Sequence, residues 1–251
     1  MRALLAAIAL CAAPAALAQS GTWSGGVGAE YSSGDYGTGT TTRILAVPFT
    51  LKYDNAPSAL TLTLPWYHVL GGGSVVPGLG AVDNSNRRGD RSTSGLGDLT
   101  VSATNSAYYD SDSKFGVDFT GKVKLPTGEE DKGLSSGSTD LTVRADAYKQ
   151  LDSFTAFGGL GLMVSSGGFL DLRNALVYSL GGSRKLDARD SVGLSLDGRT
   201  ALVRGTPPQR ELTAFWSRAV EKQQKIQAYF LVGLANGSPD WGAGISAAYS
   251  F

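Results

Sequence analysis

Polar and apolar residues alternate along most of the chain with a period of two. This is the repeat of a β-strand, whose successive side chains face opposite sides of a sheet. The final residues show it most plainly. Trp241, Ala243, Ile245, Ala247, Tyr249 and Phe251 share one parity, and Gly242, Gly244, Ser246, Ala248 and Ser250 the other. The same pattern predicts strands over 22–31, 43–53, 59–68, 97–109, 115–125 and 140–148. In 115–125, Phe115, Val117, Phe119, Val123 and Leu125 form an apolar face, and Asp118, Thr120, Lys122 and Lys124 a polar one. The second half repeats the pattern less cleanly, at 154–164, 172–181, 191–203, 210–219, 226–235 and 241–251, with the parity of 172–181 ambiguous. The total is about twelve, an even number, as single-chain bacterial barrels require.

Alternation alone leaves open which face is buried, because a soluble barrel hides its apolar face and a membrane barrel shows it to lipid. The connections favour lipid. Asp54-Asn55-Ala56-Pro57, Asp110-Ser111-Asp112-Ser113 and Leu151-Asp152-Ser153 are tight and rich in turn formers. The alternate connections, about 32–42, 69–96 and 126–139, are longer. Short periplasmic turns and long extracellular loops are the asymmetry of an outer-membrane barrel. Only Ser183 to Asp190 breaks it, as a long turn on the periplasmic side. On this map Tyr53, Tyr108, Tyr109, Phe115, Phe154, Tyr249 and Phe251 fall at periplasmic strand ends, and Tyr31, Trp66 and Trp241 near the outer ends. Those are the two aromatic girdles of a membrane barrel.

The termini agree. Met1-Arg2, the apolar run Ala3 to Ala13 and Ala16-Leu17-Ala18 read as a secretory signal peptide over 1–18, leaving residues 19–251 as one barrel domain. The lone cysteine, Cys11, falls inside it, so the mature chain has no thiol or disulfide chemistry. At the other end the chain stops on its apolar parity. Tyr249 and Phe251 resemble the closing strand of bacterial outer-membrane barrels, whose terminal Phe is part of the signal read by the barrel-assembly machinery.

Composition narrows the class further. The 251 residues carry 22 basic and 22 acidic side chains, a net charge of +0 that argues against nucleic acid and against a strongly ion-selective pore. Beyond the signal peptide no apolar run is long enough for a membrane helix. Lipid satisfies no backbone hydrogen bonds, so a membrane chain without such a run must close a barrel.

The inward parity carries charge in a pattern. Counting about the turn at 110–113 places Asp98 opposite Lys124. Counting across 126–139 places Lys124 opposite Asp140, and Asp118 opposite Asp146. Lys124 is thus expected between two aspartates, with Lys122, Arg144, Asp197 and Arg199 adding inward charge. Opposite charges on neighbouring strands support each other. Such a wall is either a brace of neutralised ion pairs or a polar constriction that a solute passes.

Other motifs carry less. Gly158-Gly159-Leu160-Gly161 opens no helix, so it reads as small residues of a barrel wall rather than a nucleotide loop. Arg88-Gly89-Asp90 is a chance tripeptide in a polar loop. Glu129, Glu130 and Asp131 could hold Ca²⁺, but a solvated acidic loop explains them more simply. His68 is the single histidine, and no serine lies two residues on along its face, so it reads as a rim residue without a catalytic role.

Three short motifs in order, Gly95-Leu96-Gly97-Asp98-Leu99, Lys122-Val123-Lys124-Leu125-Pro126-Thr127-Gly128 and Ser136-Gly137-Ser138-Thr139-Asp140-Leu141, resemble the outer-membrane transporter family named for the meta-cleavage pathway of phenol degradation. The resemblance implies a signal peptide, a barrel with a terminal Phe, and uptake of small, often aromatic or hydrophobic compounds. The expectation is therefore an all-β, transmembrane, antiparallel up-and-down barrel of about twelve strands in the cell outer membrane. It passes small solutes passively, is not an enzyme and uses no cofactor or metal. Its partners are outer-membrane lipid, the barrel-assembly machinery and a small-molecule solute. The alternatives are an outer-membrane lipid hydrolase using His68, and a closed structural barrel without conductance.

Overall fold

The computed structural model describes residues 21–71, 75–82, 91–167 and 172–251. The expected signal peptide and the Arg88–Asp90 tripeptide lie outside them. The strands are β1 (Thr22–Gly34), β2 (Thr42–Asn55), β3 (Ser58–Gly71), β4 (Val75–Val76), β5 (Gly80–Ala81), β6 (Arg91–Leu96), β7 (Leu99–Asp110), β8 (Phe115–Leu125), β9 (Ser138–Leu151), β10 (Phe154–Gly167), β11 (Ala175–Lys185), β12 (Asp190–Arg199), β13 (Gln209–Glu221), β14 (Gln224–Gly233) and β15 (Trp241–Ser250). Each wall strand pairs with its sequence neighbour, antiparallel. β1 pairs with β15 from Ser24↔Ser250 to Ser33↔Trp241, and the Phe251 amide donates to the Trp23 carbonyl at 2.8 Å, which closes the cylinder. β6 and β7 both pair with β3 and act as one interrupted wall strand, so the barrel has twelve staves.

Exposure decides what alternation could not. The largest apolar side chains of the wall face outward and are exposed, among them Leu160 at 63% and Leu180 at 67%. In a soluble barrel these would be the core. Here the inward parity is mainly polar, and among the described residues the buried apolar side chains other than Tyr53 collect where loops close one end. Val76, Leu79, Val82, Ala175, Leu202 and Val203 form one cluster; Tyr36, Ile44, Val69, Val75 and Leu134 form the other. The hairpin β4–β5 contributes to both, so it spans the mouth between opposite walls.

Among the described residues the connections divide by end: 56–57, 111–114, 152–153, 186–189 and 222–223 link strands at the terminal end, and 35–41, 126–137, 200–208 and 234–240 link them at the mouth. The long turn expected from Ser183 to Asp190 is replaced by four residues, because β11 runs on to Lys185. The ambiguous strand 172–181 is β11, shifted towards the C-terminus, with Leu176 and Leu180 outward opposite Leu162 and Gly158. In the loop 126–137 the acidic residues Glu129, Glu130 and Asp131 are exposed as expected, while Leu134, Ser135 and Ser136 turn inward and are buried.

Most of the girdle falls as expected. Tyr108, Tyr109, Phe154, Tyr249, Phe251 and Trp241 are exposed. A register shift between Ser106 and Tyr108 accompanies the consecutive tyrosines. Tyr31 packs on Trp241, with ring centroids 5.3 Å apart. Tyr53 differs: it is buried, with Trp23 packed on its ring at 4.8 Å and the Gly21 amide donating to its hydroxyl.

Several inward aromatics lie flat because a glycine faces them across the strand pair. A Cβ on Gly116 would fall 2.3 Å from Tyr148 Cζ, and one on Gly193 2.3 Å from Phe215 Cζ. Those contacts are shorter than packing allows, so the missing side chain is what leaves room for each ring against the wall.

Candidate functional site

The three sequence motifs meet at one point of the inner wall. Gly97 and Asp98 sit in the break between β6 and β7. The Gly97 amide donates to the Pro65 carbonyl, and the Leu99 amide to Thr127 Oγ1 at 2.8 Å. Asp98 Oδ1 accepts from the Gly128 amide at 3.0 Å. A Cβ on Gly128 would lie 2.8 Å from the Gly97 carbonyl carbon, so the two segments approach more closely than any side chain permits. The third motif closes over them. Ser136 Oγ accepts from Lys124 Nζ at 2.7 Å, and Ser138 Oγ donates to Asp140 Oδ1 at 3.0 Å.

At the centre is Lys124. Its ammonium lies 3.1 Å from Asp98 Oδ2 and 2.8 Å from Asp140 Oδ2. The expected triad therefore forms, and Lys124 stands opposite Asp140 as counted. The count to Asp98 does not hold: Thr100 is opposite Lys124, and Asp98 reaches it diagonally. Pairing starts at Asp110↔Phe115, so the turn occupies 111–114 rather than 110–113, and the irregularity between Ser106 and Tyr108 changes the register again by one, leaving Lys124 opposite a residue two positions beyond Asp98. The triad is also drier than a water-filled lumen implies. Side-chain exposure is 21% for Lys124, 9% for Asp98 and 3% for Asp140.

The other inward charges sort into two groups. Asp118 does stand opposite Asp146, but those are like charges, and the pairing is not self-supporting. Arg144 resolves it from within β9: its Nε lies 2.7 Å from both Asp146 oxygens and its Nη2 2.6 Å from Oδ1. Asp118 Oδ1 is buried without a partner among the described residues. Arg144 also donates to Ser179, across the glycine pair of β10; a Cβ on Gly159 would fall 2.7 Å from its Nη2. Thus Gly158–Gly161 is indeed barrel wall, and it makes space for this guanidinium. Asp197 accepts from Ser195 Oγ at 2.6 Å. Arg199 donates to Gln209 Oε1 at 2.8 Å and to the Leu79 carbonyl, which pins the mouth hairpin. Lys122, between Ser102 and Thr142 on the neighbouring strands, makes no ion pair among the described residues.

Below the hairpin lies a cavity of about 800 Å³. Lys122, Lys124, Arg144 and Arg199 line it from β8, β9 and β12, with Glu30, Glu211 and Tyr229 on β1, β13 and β14. At the mouth, burial pushes the Tyr36 hydroxyl up to about 12, and Ser32 Oγ lies 2.9 Å from it. The acidic loop holds a short 3₁₀ turn, Glu130–Lys132, and Lys132 pairs with Glu129 at 2.7 Å.

His68 is not where the single-strand pattern left it. Its Nδ1 lies 2.6 Å from Ser94 Oγ, a residue of β6 directly opposite it. Searching along one strand missed the serine, because register across strands supplies it. The pair shares the outward parity with Trp66 and Leu96. Among the described residues no second side chain bonds to the imidazole.

No protein-family model matches the chain, and no curated protein does. Solved structures match its shape. The KdgM porin superposes with a TM-score of 0.57 at 11% identity, covering 90% of this chain and 99% of that one. The β domain of the Bordetella autotransporter BrkA gives 0.53 at 12%, covering 92% and 99%. At such identities the likeness is one of fold, and the fold they share with this chain is the closed antiparallel barrel of outer-membrane proteins.

Proposed function

We propose that the chain is a passive outer-membrane channel for small solutes, often aromatic or hydrophobic, exported by the segment 1–18 and inserted through recognition of Tyr249 and Phe251. The observation that carries this reading is the cavity of about 800 Å³ inside a barrel whose inward parity is mainly polar. A closed structural barrel has no need of such a space. Supporting it, the three motifs that resemble the meta-pathway transporter family converge on the Lys124 cluster, and one barrel of like shape is a porin. Single-channel recording on the refolded mature chain, with phenol-like solutes as competitors, tests it. Discrete conductance steps reduced by the solute are expected. A sealed bilayer would leave the structural barrel.

A second reading, a lipid hydrolase, has one contact in its favour, the His68–Ser94 hydrogen bond on the lipid-facing wall. A serine nucleophile also needs its base oriented by a third group. Fatty-acid release from phospholipid vesicles that disappears in Ser94→Ala would establish it; no release removes it.

A further inference from the structure

The inner wall brings three cations together without giving them all anions. Arg144 stands opposite Thr120, diagonal to Lys122 across β8 and β9, and Arg199 lines the same cavity. All three line the cavity below the hairpin. The inward acids of these strands are committed elsewhere, except Asp118, whose Oδ1 has no partner among the described residues. Asp98 and Asp140 are held by Lys124, and Asp146 by Arg144. Arg199 has neutral hydrogen-bond partners, Gln209 and the Leu79 carbonyl. Glu211 lines the same cavity but forms no ion pair with Arg199. Glu30 faces in from β1 against the Tyr229 hydroxyl. Like charges brought together raise one another's energy unless an anion sits among them. In a lumen that neither strand ladder nor loop fills, that anion is a solute.

We propose that Lys122, flanked by Arg144 and Arg199, is a binding station for the carboxylate of a small organic acid. The inference rests on the channel reading above and names its solute class. The remainder of the cavity sets the class. Tyr67, Leu231 and the hairpin residues Val76 and Leu79 give it apolar walls, which suit an organic body and offer little to a bare inorganic ion. A guanidinium and an ammonium bind carboxylate by charge-assisted hydrogen bonds, the stronger kind. The chain's overall neutrality is no obstacle, because Lys122 forms no ion pair among the described residues while the inward acids Asp140, Asp146 and Asp197 of β9 and β12 are bonded to Lys124, Arg144 and Ser195. Mechanistically, the carboxylate exchanges its water for Lys122 below the hairpin, the organic body rests against the apolar wall, and release to the periplasmic side completes passage.

The test is block of the single-channel current by sodium benzoate, with benzyl alcohol and inorganic phosphate as comparison probes. Benzoate should block at concentrations at which neither comparison probe does. Lys122→Gln should weaken the block about tenfold, the factor that corresponds to about 1.4 kcal/mol. Lys122→Arg should retain it. Equal block by benzoate and benzyl alcohol, or block unchanged in Lys122→Gln, overturns the station. Phosphate as effective as benzoate overturns the organic-acid assignment. Should Lys122→Gln fail to fold, Arg199→Gln provides the second variant, with the same expected weakening. If the protein shows no conductance, the channel reading falls; calorimetric titration of the refolded barrel with benzoate then decides the station separately, and absence of binding overturns it.

Discussion

Removing the charge at Lys124 is expected to destabilise the barrel strongly, although the site faces a lumen. Lys124→Met keeps the stem of the side chain and deletes the ammonium. At separations of 2.8 and 3.1 Å, attraction at an effective dielectric of about 20 is on the order of 5 kcal/mol for each pair. Desolvation of the ions offsets most of that, so the intact cluster contributes little net. Loss of one partner is different, because it strands the others: breaking a buried pair costs about 3–5 kcal/mol, against about 0–1 for an exposed one. The side chain of Asp140 is only 3% exposed, which puts the cluster in the buried class. Asp140 keeps its bond from Ser138 and Asp98 its bond from the Gly128 amide, which favours the lower end, about 3 kcal/mol. Equilibrium unfolding in urea in the presence of lipid vesicles measures it. Lys52→Met is the control, since Lys52 and Asp54 pair at 2.7 Å but are nearly half exposed, and its loss should stay below about 1 kcal/mol. Combining Lys124→Met with Asp98→Asn and Asp140→Asn should recover most of the stability. A loss for Lys124→Met no greater than that of the control would refute the reasoning. A triple variant as unstable as the single one would show that packing, not charge, is what was lost.

The remaining expectations concern topology, assembly and the lumen wall. An epitope at Thr40 should be accessible on intact cells and one at Asp112 should not; Ser136 is unsuitable for a tag because it is buried against Lys124. Reversed labelling would invert the barrel. Deleting Phe251, which bonds through its amide to Trp23 and packs on Tyr249, should reduce insertion into the outer membrane while leaving export intact, as membrane fractionation would show. Gly116→Ala should cost about 1–3 kcal/mol by overpacking against Tyr148 and lower the conductance by pushing that ring into the lumen. Adding Tyr148→Ser should restore the current, and a current unchanged by Gly116→Ala would mean that the ring is not at a narrow point.

The strands are legible in residue order alone, because a period of two is a local property that each segment carries without its neighbours. The pairing of Lys124 with Asp140 is legible for a similar reason: one connection separates them, and parity limits the registers that keep both inside. Which parity faces out is not legible in this way, since the alternation of a soluble and a membrane barrel is the same until the cylinder closes and Leu160 and Leu180 are seen on its outside. Asp98 was assigned to the right cluster by the wrong register, because a bulge and the exact position of a turn depend on backbone geometry that residue types do not encode. His68 and Ser94 lie 26 residues apart, and the burial of Leu134 depends on Val75 of a hairpin from another loop filling the mouth. Contacts of this kind are set by closure of the whole barrel, so no single segment contains them.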